Sequence, residues 1–480
     1  MMTDKFYVPQ DGTIEDAVAT IQPGGTIKIS AGRYVLKETL LIEKPLRLEG
    51  AGIENTFVVS TSSADLIRVM ISGKFSVEGL SFQYEEIIKP SSSDDNKKPL
   101  SSILRIDAGI ADVSNCKFAG HVNLKANGIA LFGESRGCIK GNEVNNFFFG
   151  ISSRMDTYAE FIGNRCEENL FGIALIGSGS VADNFCRLNE QSGIIVNGEA
   201  SPEIIRNRCE ENKFGISFFD SSTGSATENV CRLNSEYGIL VTGEASPVIS
   251  NNRCEENESG IVFSGSSSGS AMENVCRLNS WHGILVTDEA SPVISGNRCE
   301  ENNVCNWHKS YGILVNGEAS PVISGNYCKL NIVGIGFFDS CSGSVADNYC
   351  CFNALYGILV KEQASPELSR NRCHDNNNDI AFHDSSSGSA TENICRYDII
   401  VSGKASPVIS GNRVEGTEFW FNQKFDQIIE AKDSDQAWIN ESEKVIKFSS
   451  FQEAKNWSIE NPGKVFTKSP DGTGYIIKNI

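Results

Sequence analysis

Residues 238–282 read GILVTGEASPVISNNRCEENES, from Gly238 to Ser259, and then GIVFSGSSSGSAMENVCRLNSWH, from Gly260 to His282. Both halves follow one pattern: Gly-Ile, an alternating apolar run, a cluster of turn residues, and Asn-x-Cys-x-x-Asn. That last motif recurs at Cys166, Cys186, Cys209, Cys231, Cys254, Cys276, Cys299, Cys328, Cys350 and Cys373, with successive spacings of 20, 23, 22, 23, 22, 23, 29, 22 and 23. A Gly-Ile pair keeps the same beat from Gly172-Ile173 to Gly283-Ile284. A period of this size marks a solenoid, in which each repeat covers its neighbour's apolar face.

The repeat is crowded with Gly, Ser, Asn, Asp and Pro, which disfavours helix, and the spaced leucines of leucine-rich repeats are missing. Runs such as GILVTG and GISFFD alternate as half-buried strands do. One unit of about 22 residues therefore makes one rung of an all-β parallel β-helix. The full repeat is two rungs, 45 residues, in which one inward position alternates Val196, Phe218, Val241, Phe263, Val286 and another alternates Ile204, Ala226, Ile249, Ala271, Ile294. Large and small residues complement each other, as close packing requires. The residue after each cysteine alternates in sign, Glu167, Arg187, Glu210, Arg232, Glu255, Arg277, Glu300, which predicts a register-setting charge ladder worth little in stability. The flanking asparagines predict two columns of stacked amides.

The 29-residue step equals the 45-residue unit less 16, and NNVCNWHKSYG (Asn302–Gly312) resembles a remnant of ENVCRLNSWHG (Glu273–Gly283). A lost rung body is expected there, and Cys305 and His308 are repeat remnants more than metal ligands, since a zinc site takes four ligands. At the N-terminus Thr13 is placed to cap a short helix, TIEDAVATI. After Asn412 the repeat stops. Ser450 opens a capping-box helix, VIKF precedes it, and KVFTKSPDGTGYIIK reads as a hairpin. The expected organisation is an N-terminal cap over 1–25, a β-helix of fourteen to sixteen rungs over 26–415, and a small C-terminal β-α-β-β unit over 416–480.

The chain has 480 residues, with 42 Lys and Arg against 61 Asp and Glu, a net charge of −19. That balance argues against nucleic acid or an anionic membrane as the main partner. No run of 18 apolar residues is present. The opening MMTDKFYVPQDGT lacks the pattern of a secretory signal, so the 16 cysteines are expected to remain thiols in a cytoplasmic protein, with an isolated pair such as Cys350 and Cys341 left open.

The Asn-x-Cys-x-x-Asn…Gly-Ile pattern resembles the parallel β-helix repeat of the pectate-lyase-like superfamily, and YVPQDGTIEDAVATIQPGGTIKISAGRYV…PLRLEGAG is similar to the start of right-handed β-helix regions in that group. Relatives of this type include F-box-only proteins, mannuronan C5-epimerases and nitrous-oxide-reductase accessory proteins. The resemblance covers residues 6–415 and implies a right-handed solenoid. It transfers no catalytic residue, because the Asp-Pro-His-Asp, Gly-His-Gly and Trp-Ile-Asp-His signatures of its enzymes are absent.

Solenoids commonly bind extended ligands along one outer sheet face. The sheet beginning at each Gly-Ile is the candidate, with Leu240, Leu285, Leu314 and Leu359 in its first outward column and Phe219 and Phe338 in its second. An exposed apolar stripe there would take a protein or polysaccharide. At its far edge, where most rungs carry Gly, three successive rungs carry Asp339, Glu362 and Asp384, beside Lys361 and His383. Stacked carboxylates of this kind would suit Ca²⁺. Lys361, His383 and Asp339 could serve acid-base sugar chemistry. The competing reading is local, since Asp at a turn start bonds nearby backbone. The sequence thus predicts a non-catalytic recognition scaffold without a cofactor, with a uronan lyase or C5-epimerase as the alternative.

Overall fold

The structure is a computed structural model that describes residues 3–85, 100–121, 124–302 and 310–415, together with the strands Ile446–Phe448, Val465–Lys468 and Tyr475–Lys478. Two compact units are present, 1–417 and 418–480. In the first, nearly every strand pairs in parallel with its counterpart one rung on. The Gly-Ile strands form one column (Tyr237–Val241 on Ser259–Phe263), the strands after the turn a second (Val248–Ser250 on Ser270–Met272), and the cysteine strands a third (Arg253–Glu255 on Val275–Arg277). The third column counts 17 strands, more than the expected fourteen to sixteen. The early rungs were hidden from the cysteine beat because Val58, Phe82, Phe118 and Val144 stand where cysteine stands later.

From Cys166 to Cys395, eleven cysteines lie in register, one per rung, each buried and free. Burial pushes the thiols of Cys166 and Cys209 up, and that of Cys116 up to about 12. Cys350 and Cys341 are separate free thiols; Cys341 donates to the carbonyl of Val315 at 3.6 Å. The other inward columns also stack as the alternation requires, Val241 on Phe218 and Phe263, Ile249 on Ala226 and Ala271. Volume is balanced within a rung as well: Phe218 shares its rung with Ala226, Val241 with Ile249, and Ser153 with Phe161, all fully buried.

Asn-x-Cys-x-x-Asn is the signature of two bends around a three-residue strand. The residue before the first Asn and the residue before the second are left-handed, as Asn251 (φ 55°) and Glu256 (φ 56°) are around Cys254. Non-glycine residues pay on the order of 1–2 kcal/mol for this conformation, and the bends leave backbone groups turned into the core. The asparagines repair both. Asn229 donates its backbone N–H and its side-chain amide to Oδ1 of Asn252, each at 2.9 Å, and Asn252 bonds Asn274 in the same way. This ladder runs from Asn142 to Asn412. A second runs from Asn169 to Asn376, whose amide donates to Asp379 at 3.0 Å. Asp379 stands where other rungs carry Gly and also accepts the backbone N–H of Arg396 and Tyr397.

Outside the core, the charge ladder differs from the expected alternation. Glu210 accepts from Arg208 on its own strand (2.7 Å) and forms an ion pair with Arg232 one rung on (3.3 Å), whereas Arg187 turns to Glu211 (2.7 Å). At the 29-residue step, Val286 pairs with Val315, Ile294 with Ile323 and Cys299 with Cys328, so two rungs of the same type stack directly on each other. Cys305 and His308 lie outside the described residues. Thr13 caps the helix Ile14–Thr20 through a reciprocal box with Asp16. Ile446–Phe448 and Val465–Lys468 both pair antiparallel with Tyr475–Lys478. The helix expected at Ser450 and the turn at Pro470-Asp471-Gly472 lie outside the described residues.

Asn252→Ala strands two donors of Asn229 and the core carbonyl of Ala226, so unfolding measured in denaturant should lose about 2–4 kcal/mol; a loss below 1 kcal/mol would mean the ladder is ornamental. Among the described cysteines only Cys138 is not buried. Mass spectrometry after brief alkylation of the folded protein should find the label there and on none of the eleven column cysteines.

Candidate functional site

The outer face of the Gly-Ile sheet carries three outward columns. The middle one holds Ser217, Leu240, Val262, Leu285, Leu314, Gly336 and Leu359 in register. The expected exposed leucine stripe is not there: Leu240, Leu314 and Leu359 are buried, and Leu285 and Phe219 are half-buried. The reason is visible at Leu359, which packs with Ile332, Val333 and Ala381 under the rings of Tyr311, Phe338 and Tyr356. The leucines are the floor of a groove, and its walls are the neighbouring columns.

One wall is aromatic over most of its length. Phe149 stacks on Phe171 (5.3 Å between centroids), Phe214 meets Tyr237 (5.6 Å), His282 meets Tyr311 (5.5 Å), and Tyr356 continues the line. Ser192, Ser259 and Val333 interrupt it. Phe338 closes over from the opposite wall, edge-on to Tyr311 at 5.5 Å. The sequence reading missed this wall because it sits before the Gly-Ile pair, where strands were taken to begin.

The early rungs add a charged stretch that was also missed. Arg68 and Arg105 both bond Asp107, at 2.5 and 2.8 Å. Arg105 lies over the ring of Phe132 at 4.1 Å, with Arg154 6.0 Å from the same ring. Burial holds the Arg154 guanidinium below its usual range. Beside them, Asn127 Oδ1, in the column of Phe149, and Ser152 Oγ, on the floor, are buried without a hydrogen-bond partner. These rungs lack the cysteine beat, so their outward residues could not be aligned from spacing; the alternation in LIRVM and ILRID was the available signal.

The acidic edge has a local explanation. Asp339, Glu362 and Asp384 are left-handed at φ 58°, 60° and 62°. Asp339 accepts the N–H of Gly317 (2.9 Å), Glu362 that of Asp339 (2.7 Å) and Asp384 that of Glu362 (3.4 Å). Each carboxylate thus ties its corner to the preceding rung, as Asp288 does with Gly265 (2.8 Å). Lys361 pairs with Asp384 at 3.7 Å, and His383 turns its Nδ1 to the hydroxyl of Ser402, with Tyr356 edge-on at 5.8 Å. Among the described residues, no three His, Cys, Asp or Glu side chains gather as a metal ion requires. The structure therefore does not assemble Asp339, Glu362 and Asp384 into the expected Ca²⁺ ligand set, nor join Lys361, His383 and Asp339 into an acid-base pair.

The family model described as "right handed beta helix region" matches residues 102–246 and 296–423, and that of "periplasmic copper-binding protein (NosD)" matches residues 183–355. No curated protein matches the chain. Among solved structures it is similar to the Azotobacter vinelandii mannuronan C-5 epimerase A-module (14% identity, 82% of this chain and 91% of that one, TM-score 0.34). It is similar to a periplasmic alginate epimerase (14%, 87% and 84%, TM-score 0.36) and to the Erwinia chrysanthemi pectin methylesterase (14%, 47% and 79%, TM-score 0.29). The periplasmic description of the second family overturns the expectation of a cytoplasmic protein. That expectation rested on the pattern of the opening residues and on reading the cysteines as thiols, and thiols sealed in a core do not mark a compartment. The residues present do not fit copper: soft thiolate ligands suit it, but the column sulfurs are buried and face one another.

His282, in the aromatic wall, has its pKa lowered by burial to about 4, and its Nδ1 has no partner. A histidine that resists protonation when folded gives full stability above about pH 6.5 and loses it as the pH falls toward 4. From the shift of 6.5 to about 4, the loss is on the order of 3 kcal/mol. His282→Tyr, which matches Tyr237 and Tyr311 in the same column, should flatten this slope in denaturation curves measured across that range.

Proposed function

The chain belongs to the right-handed β-helix family, and we propose that it is a non-catalytic recognition scaffold that binds an extended glycan along the outer groove of the Gly-Ile sheet. The observation that carries this reading is the aromatic wall: Phe149, Phe171, Phe214, Tyr237, Tyr311 and Tyr356 line one side of an apolar floor, with ring contacts repeating at 5.3 to 5.6 Å. Rings in line offer an apolar surface to a ligand, and a ligand that crosses the rungs would meet them in groups separated by Ser192, Ser259 and Val333. A bound chain would cross the rungs one after another, which suits a polysaccharide and equally an extended protein segment. The arginines of the early rungs would meet the more polar end of such a ligand. The alternative of a uronan lyase or C5-epimerase draws little support from the acidic edge, because its carboxylates are engaged by backbone amides.

A glycan array probed with the full chain, followed by titration calorimetry on the best binder, tests this. Phe214→Ser with Tyr237→Ser installs the residue already present at Ser192 and Ser259, so the strands should tolerate it. Affinity should fall at least about tenfold, the equivalent of 1.4 kcal/mol. Equal affinity in the variant would remove the wall from the site, and capture of a protein with no glycan retained would assign the groove to a protein partner.

A further inference from the structure

On the outer side of the cysteine sheet, the position after the cysteine alternates Glu and Arg from Glu167 to Glu300, and the position before it alternates Arg with Phe185, Val230 and Val275. In the last rungs the position after the cysteine passes from Glu300 to Lys329, Cys351, His374 and Arg396, and the position before it from Arg298 to Tyr327 and Tyr349. The replacement builds one hydrogen-bonded chain across three rungs. Nε2 of His374 meets the Tyr349 hydroxyl, Nδ1 of His374 meets Asp375 at 2.8 Å, and the other carboxylate oxygen of Asp375 accepts from Arg396 at 2.7 Å. With the imidazole neutral, one direction follows. The bond from His374 holds the Asp375 carboxyl below its usual range, and an ionised carboxylate only accepts. In a neutral imidazole Nδ1 then carries the hydrogen and Nε2 the lone pair.

Packing fixes the chain in place. The ring of Tyr327 stacks on that of Tyr349 at 5.2 Å and 10°. The thiol of Cys351 donates to the Tyr327 oxygen at 3.6 Å. Tyr349 and Phe352 meet the buried His374 edge-on at 4.8 and 6.0 Å. The hydroxyls of Tyr34 and Tyr84, by contrast, donate to backbone carbonyls, which cannot take a proton.

We propose that Tyr349 is a site of one-electron oxidation, with His374 as its proton acceptor and a small diffusible peroxyl-type radical as its co-reactant. A phenol that loses an electron becomes a very strong acid, so oxidation is easy only where the proton can leave in the same step. Here the electron passes from Tyr349 to the peroxyl radical, which becomes a hydroperoxide anion and takes a proton from water. The O–H bond of Tyr349 breaks, and an N–H bond forms at Nε2 of His374. The products are a neutral phenoxyl and an imidazolium. The Asp375 carboxylate, held by Arg396, offsets the new positive charge, and the stacked Tyr327 ring lets the unpaired electron spread. Tyr349 is the oxidised residue; His374 and Asp375 are positioning residues that act through it.

The test exposes the folded full chain to peroxyl radicals from a thermal azo initiator in the presence of a spin trap. Adducts are mapped by peptide mass spectrometry, and the radical is recorded by high-field electron paramagnetic resonance. Tyr349, followed by Tyr327, should outpace the more exposed Tyr7, Tyr158 and Tyr397, which are 45%, 47% and 45% exposed. His374→Gln keeps an acceptor oxygen but cannot take the proton. It should cut the adduct yield at Tyr349 about tenfold and remove the g-shift of a phenoxyl bonded to imidazolium. Should that variant fail to fold, Asp375→Asn, which leaves the imidazole in place, is read in the same two ways. Adducts distributed by exposure alone, or an unchanged yield and g-shift at Tyr349 in the folded variant, would overturn the proposal.

Discussion

A parallel β-helix must turn its chain through sharp corners several times per rung without leaving buried amides unpaired, and in this protein the stacked asparagines meet that demand. Each Asn side chain accepts from the rung before, donates to the rung after, and reaches back to a core carbonyl. The left-handed corners beside it, occupied by Glu, Leu, Arg and Asp more often than by Gly, are tolerable because the ladder holds them. Everything else follows the same register. The cysteine column is in line because it lies between two asparagines, and the charge pairs outside are near one another because the strands are. The acidic corners repeat the device in another form, a carboxylate reaching one rung down to a backbone amide.

The repeat-bearing part of the fold was legible from one chain because every constraint recurred. A two-rung alternation of Val241 with Phe263 and Ile249 with Ala271 can be read only one way when it repeats at a fixed step. The same logic located the break in the alternation, where Val286 meets Val315. Legibility failed where the beat failed. The rungs before Cys166 substitute Val and Phe for Cys, so their number and their arginines could not be placed by counting. The candidate site was only partly legible. The sequence placed the candidate face on the Gly-Ile sheet, but outward-pointing was equated with exposed, and a central outward column between two walls is a floor. The acidic run looked functional because it departed from glycine, whereas Gly and a backbone-bonding carboxylate are two solutions to one corner.

A scaffold of this kind separates its tasks by face. Inward positions carry volume, corners carry amide pairing, and only the outward columns are free to vary without disturbing register. That is why the aromatic wall of the Gly-Ile sheet and the tyrosine-histidine network of the cysteine sheet occur on an otherwise monotonous frame. Each replaces outward residues at two or more successive rungs while the cysteines and asparagines between them stay in place.

The ladders also have a direction. Every side-chain amide in them presents its oxygen to the preceding rung and its N–H to the following one, so the dipoles of the amides add along the solenoid axis, much as peptide dipoles add along a helix. The N–H end, partially positive, falls at the C-terminal rungs, and the second ladder ends there on the carboxylate of Asp379 in place of another amide. The two asparagine columns are therefore polar lines with one sense along the solenoid, and the second ends its N–H side on a carboxylate.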